Sequence, residues 1–165
     1  MKKIGLLILI VIMLVGCSFN NTPTAKVEEL FMKYQKVDND ISLEIDNIMQ
    51  EENLLAEHKE RYRELITKQY RNLTYNIKDE KIDGDTAVVL VEIEVMDYRK
   101  AIGDLVFDSN LYTKESYDEE KINRLEKAQD KVKYTLEIKL NKNEDGVWKI
   151  EPLTSEQTKK IQGMF

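Results

Sequence analysis

The 165 residues carry 25 lysines and arginines against 31 aspartates and glutamates, a net charge of −6, and 42% of them are hydrophobic. That length accommodates one packed core and is short for two, and the acidic balance excludes nucleic acid and anionic head groups as partners held through charge alone. The single cysteine, Cys17, excludes an internal disulfide.

The chain starts with the positive end Met1-Lys2-Lys3, followed by an apolar stretch from Ile4 to Val15 interrupted only by Gly5. A membrane-spanning helix needs about 20 apolar residues, so this shorter run predicts a secretory signal. The next residues, Leu14-Val15-Gly16-Cys17, resemble the lipobox of bacterial lipoproteins, in which a small residue precedes the cysteine. The resemblance implies a diacylglyceryl group on the Cys17 sulfur, cleavage between Gly16 and Cys17, and acylation of the freed amine. A sulfur used in this way cannot also be a nucleophile or a metal ligand. Two acyl chains, at about 0.8 kcal/mol per buried methylene, anchor stably where one is marginal. Removing residues 1–16 takes Lys2 and Lys3 with it and leaves the acidic side chains ahead by eight. Residues 17–22 are then the lipidated cysteine and a tether, of which Ser18 to Thr22 spans at most about 17 Å. Residues 23–165 form one domain held near the extracytoplasmic face of the cell membrane.

Thr22-Pro23 predicts a helix start, threonine capping free N–H groups and proline occupying the first helical position. Val27, Leu30, Phe31 and Tyr34 follow at helical spacing. Past a polar break at Asp38-Asn39-Asp40, Ile41, Ile45, Ile48, Met49 and Leu55 hold an apolar stripe, and Tyr62, Leu65, Ile66 and Tyr70 hold another. The pattern fits three helices, or two with a kink near Glu57.

The period then drops to two. Leu73, Tyr75 and Ile77 alternate with polar residues, Asp83-Gly84 signals a hairpin, and Thr86 to Val95 is rich in valine and isoleucine. Ala87, Val89, Val91, Ile93 and Val95 share one face, while the other passes from Val88 and Leu90 to Glu92 and Glu94. Alternation returns at Val132, Tyr134, Leu136, Ile138 and Leu140, Asn143 to Gly146 makes a turn, and Val147 to Ile150 closes the sheet with Trp148. Between the second and third strands, the residues read as a helix near Tyr98 to Phe107, a polar loop, and a charged helix announced by the capping-box spacing of Ser116-Tyr117-Asp118-Glu119. Thr154-Ser155-Glu156-Gln157 repeats that spacing before a C-terminal helix. The prediction is an α+β fold: N-terminal helices packed on a curved antiparallel sheet of about four strands, a helical insertion between the second and third, and a short C-terminal helix.

This order, with Thr22-Pro23 leading the first helix, Ile82-Asp83-Gly84-Asp85-Thr86-Ala87-Val88 at the hairpin and Gly146-Val147-Trp148-Lys149-Ile150 in the last strand, resembles the nuclear-transport-factor-2-like, or cystatin-like cone, superfamily. It is similar to small exported lipoproteins of low-GC bacteria that end in a comparable helix. The resemblance implies a concave sheet face closed by a helix, used by different members for ligand binding, dimerisation or catalysis.

Residues with chemical potential are few. His58 is the sole histidine, on the edge of a helical apolar stripe, and reads as a packed residue. Asn141-Lys142-Asn143-Glu144-Asp145-Gly146 echoes the opening of a calcium loop, but the first ligand is asparagine and Pro152 stands where the bidentate glutamate belongs. Glu92, Glu94, Asp97 and Tyr98 are the candidate acids and bases if the cone is an active site. Tyr75, Tyr98, Tyr134 and Trp148, in or beside strands, are candidate pocket-lining residues. The leading expectation is a lipid-anchored binding or envelope-associated module with no catalytic residues, metal or cofactor, whose partner is a protein or a small ligand. A small cone-fold enzyme of isomerase or dehydratase type is the alternative, and a homodimer paired through its sheet is a third arrangement.

Overall fold

A computed structural model describes residues 21–165; Gly16 and Cys17 lie outside the described residues. Thr22 accepts a hydrogen bond from the Ala25 N–H, and Pro23 fills the first turn of α1 (Pro23–Lys36), which buries Val27, Phe31 and Tyr34. Asp38 caps α2 (Asn39–Glu51) by accepting from the Ile41 N–H. The chain breaks again over residues 52–55, before α3 (Ala56–Asn72), so there are three helices, and the break precedes Glu57. It is fixed from outside: the Leu55 N–H donates to the carboxylate of Asp118, far along the chain.

Strands β1 (Thr74–Asp83), β2 (Thr86–Met96), β3 (Lys131–Lys142) and β4 (Trp148–Ile150) form an antiparallel meander in that order. Strict alternation in β2 turns Ala87, Val89, Val91, Ile93 and Val95 to the helices and the residues between them outward. Asp83 pairs with Thr86, so the hairpin loop is Gly84-Asp85, one residue beyond the Asp83-Gly84 signal. The register also sets two ends. The pairs Asp83 with Thr86 and Lys142 with Trp148 place both hairpin turns at one end, whereas Thr74 with Glu94 and Met96 with Lys131 mark the other.

The insertion leaves that second end. It comprises α4 (Tyr98–Ile102), a loop, and α5 (Lys114–Glu126). The predicted helix to Phe107 stops five residues early because Gly103 takes a φ of +59°, outside the helical region. The predicted box at Ser116 is also displaced. Thr113 is the cap, its hydroxyl accepting from the Ser116 N–H while the Ser116 hydroxyl accepts from the Thr113 N–H. Starting the helix there places Asp118 one turn in and facing α3, where it is fully buried. Glu120 and Arg124 pair at 2.7 Å as their spacing predicts.

The C-terminal helix α6 (Ser155–Gln162) carries the expected Thr154–Gln157 box. It buries Ile161 and ends where α3 meets the end of β2. There the buried Gln69 side chain donates from Nε2 to the Met96 and Gln162 carbonyls, at 2.9 and 3.0 Å, and accepts the Met96 N–H at 3.0 Å. Gly163 lies against this junction with a φ of +72°; a Cβ at that position would collide with the Met96 carbonyl oxygen and the Gln69 amide.

Replacing Gln69 with leucine keeps the bulk and strips three part-buried backbone groups of their partner. At about 1 to 3 kcal/mol for a stranded buried group, Gln69→Leu is expected to lower the unfolding free energy by roughly 2–5 kcal/mol in urea titration, and Gly163→Ala to destabilise in the same direction.

Candidate functional site

The first described residue is already bound. The Asn21 side chain donates to the Gly146 carbonyl at 2.9 Å and accepts the Trp148 N–H at 3.0 Å, fastening the start of the domain to the β3–β4 turn. That turn is the segment with the calcium-loop echo. Asn143 spends its side-chain oxygen on the Val147 N–H and its carbonyl on the Gly146 N–H, which is hairpin chemistry. Among the described residues, no group of three or more histidine, cysteine, aspartate and glutamate side chains could hold a metal ion.

The four candidate aromatics sit in different places. Tyr75 stacks on Phe31 with ring centroids 4.9 Å apart. Tyr134 meets Phe165 edge-on and donates to its carbonyl at 2.9 Å. Trp148 is buried under the Lys142 ammonium and borders a cleft with Leu30 and Ile150. Tyr98 is buried at the other end, donating to the Leu65 carbonyl at 3.2 Å.

Tyr98 also borders a cleft of about 280 Å³ between α3, the end of β2 and the end of α5, floored by Leu65, Val95, Met96 and Leu125. Glu94 stands at its edge, paired with Lys131 at 2.9 Å. Glu92 faces outward between Lys78 and Lys133, at 3.3 and 3.4 Å. Hydrogen bonding to Lys78, then to Lys133, holds its carboxyl below the usual range, the opposite of what a proton donor near neutral pH requires. Asp97 caps α4 by accepting the Lys100 N–H at 2.8 Å.

A polar seam joins α3 to α5. Asp118 accepts from Leu55 and pairs with Lys114. Arg61 reaches Glu119 at 2.6 Å and Glu126 at 2.9 Å. Lys121 pairs with Glu52, whose carboxylate also accepts the Tyr62 hydroxyl at 3.1 Å. His58 is buried at the margin of this seam, its Nδ1 3.5 Å from the Glu119 carboxylate. A second shared carboxylate, that of Glu44, accepts both buried hydroxyls of Tyr34 and Tyr70, at 3.0 and 2.9 Å.

Beyond the seam, the loop from Gly103 to Thr113 presents Val106, Phe107 and Leu111 to solvent. Sequence reasoning placed Val106 and Phe107 in a helix and missed this cluster. The available signal was three large apolar residues in a stretch with no sustained period.

Burial first, with Glu44 or Glu52 adding, pushes the phenols of Tyr34, Tyr62 and Tyr70 well above the ordinary range, and burial pushes Tyr98 up to about 12. The folded chain keeps these protons where the unfolded chain releases them, above about pH 10. Their stabilising effect is therefore complete below that pH and is lost as the pH rises toward the folded values. Phenolate absorbance should show these side chains titrating late in the native protein, and the part of the denaturant midpoint that they support should be lost only in the alkaline range.

Comparison with protein-family models, with curated proteins and with solved structures finds no match to this chain.

Proposed function

We propose that this chain is a lipid-anchored extracytoplasmic binding module, held to the outer face of the cell membrane through Cys17, with a protein or small ligand as its partner. The observation that carries the reading is the Asn21 clasp. If Cys17 is acylated and begins the mature chain, only Ser18 to Asn20 separate the lipid from a fixed point on the domain, a reach of about 10 Å. The tether is shorter than the sequence alone implies, and the hairpin-turn end faces the bilayer. The helical insertion then projects outward.

Packing supports a module that works by surface. The inner sheet face is filled by its own core, with α1, which carries Phe31 and Tyr34, lying over β1, β2 and β4, and α6, which carries Ile161, against β2. The order of helices, meander and Trp148 strand is the support for placing the domain with the nuclear-transport-factor-2-like group. The acidic balance favours protein or small-ligand partners over nucleic acid.

The enzymatic alternative would use the cleft that Glu94 and Tyr98 share. Glu94 is neutralised there by Lys131, and the Tyr98 proton is committed to a backbone carbonyl. Those commitments favour binding over proton transfer.

Cys17→Ala should either release the chain into the medium or leave an uncleaved precursor, read by cell fractionation and intact mass. Lipid-labelled, normally matured Cys17→Ala protein would overturn the anchor.

A further inference from the structure

Exposed large apolar side chains are spread over several elements, Leu43 on α2 and Ile82 on β1 among them, yet three fall within one short loop: Val106 at 73% exposure, Phe107 at 47% and Leu111 at 75%. The loop is built. Its Leu111 and Tyr112 N–H groups both donate to the Asp108 carbonyl, at 3.0 and 2.9 Å, and the Asp108 carboxylate accepts the Asn110 N–H at 2.8 Å. The Phe107 and Tyr112 rings both meet Tyr117 edge-on, with centroids 5.4 and 6.0 Å away. An apolar projection held in one shape loses little entropy when it is covered, which is how a small surface becomes a useful contact.

Its position narrows the occupant. Tyr117 lies in the first turns of α5, which runs thirteen residues, about 20 Å, back toward the start of β3. β3 in turn ends at the hairpin that holds Asn21. The start of α5 lies with the start of α3, Lys114 reaching the Asn53 carbonyl and Asp118 the Leu55 N–H, while α3 meets the sheet at Gln69 in its last turn. The apolar loop thus stands beyond the end of the sheet opposite Asn21, and a bilayer holding Cys17 is on the far side.

Charge narrows it further. Asp104 and Asp108 lie in the loop and Glu115 follows it; Asp104 pairs with Arg124 at 3.5 Å, whereas Asp108 and Glu115 make no ion pair among the described residues. The neighbouring cation, Lys114, is drawn inward to Asp118 and the Asn53 carbonyl. A second copy docking face to face would oppose one acidic rim to another. We infer that the loop carrying Val106, Phe107 and Leu111 is a docking surface for a different extracytoplasmic protein, one that offers an apolar socket bordered by lysine or arginine. Three side chains are a small patch, so the contact is transient. This rests on the reading of the chain as a membrane-held binding module and names what its outward end engages.

The test uses the full chain in cells that export it, with photoreactive p-benzoylphenylalanine at position 107 and, as controls, at positions 43 and 82. The expected result is one discrete adduct from position 107 alone. By mass spectrometry its cross-linked peptide belongs to another exported polypeptide and pairs apolar residues with flanking lysine or arginine. Leu111→Ser should cut the adduct yield about tenfold and Glu115→Lys about threefold, with thermal midpoints unchanged; if Leu111→Ser unfolds the chain, Val106→Ser takes its place. An adduct of twice the chain mass, an adduct to lipid, a socket without basic residues, equal yields at all three positions, or no adduct would each overturn the surface. The anchor is read apart from this, by fractionation and intact mass of Cys17→Ala: a normally cleaved Cys17→Ala chain retained on membranes sinks the anchor whatever position 107 reports, and a missing adduct from the chain with Cys17 intact, where Cys17→Ala is released or left uncleaved, sinks the surface alone.

Discussion

The fold depends on how three unrelated pieces of chain meet at one end of the sheet. A strand that stops and a helix that stops each leave backbone groups without partners, and burying them is costly. Gln69 meets that constraint by pairing its amide with both the N–H and the carbonyl of Met96, much as a neighbouring strand would, and giving its second proton to the Gln162 carbonyl. One side chain thereby fixes the rotation of α3, the end of β2 and the seat of α6. The close approach of Gly163 follows from the same junction, since the chain leaves α6 directly beside that amide. The Arg99 N–H then binds the Gly163 carbonyl at 2.8 Å, which carries the order on into α4.

The polar seam between α3 and α5 extends that order into the insertion. Its exposed ion pairs are each worth little, and the Lys78–Glu92–Lys133 ladder on the outer sheet face belongs to the same class. Asp118 is different, because it is buried and satisfies the N–H of Leu55 at the start of α3. A helix whose end is capped by a residue over sixty positions away cannot settle independently of the insertion. The seam therefore makes the insertion part of the core, and it gives the outward loop a firm base.

Periodicity exposed most of the fold. The alternation of Ala87 through Val95 and of Leu136 through Leu140 marked the strands and their inner faces, and the Thr22-Pro23 and Thr154–Gln157 signals marked two helix starts. Boundaries went astray within the insertion: the positive φ of Gly103 cut α4 short, and the Thr113–Ser116 box began α5 one turn before the predicted cap at Ser116. The buried polar residues had a readable trace that apolar counting passes over. Gln69 completes the row of Tyr62, Leu65 and Ile66, and Asp118 completes that of Ile122 and Leu125, so each is a polar residue on a face that should be apolar. Their partners are backbone groups distant in sequence, which no local pattern specifies. The same limit applies to the candidate site. Tyr75, Tyr98, Tyr134 and Trp148 could be picked out as strand-associated aromatics, but their separation into distinct surroundings follows from how α1, α3 and α6 cross the sheet.

The two bonds from Asn21 have a mechanical side. Among the described residues, a pull from the N-terminal side arrives first at that asparagine, where hydrogen bonds to the Gly146 carbonyl and the Trp148 N–H resist together. While they hold, the load passes into the β3–β4 hairpin and bypasses α1, which begins immediately afterwards and would peel from its first turn once both have yielded. The clasp thus works as a strain relief, of the kind that keeps tension on a cable from reaching the joint inside.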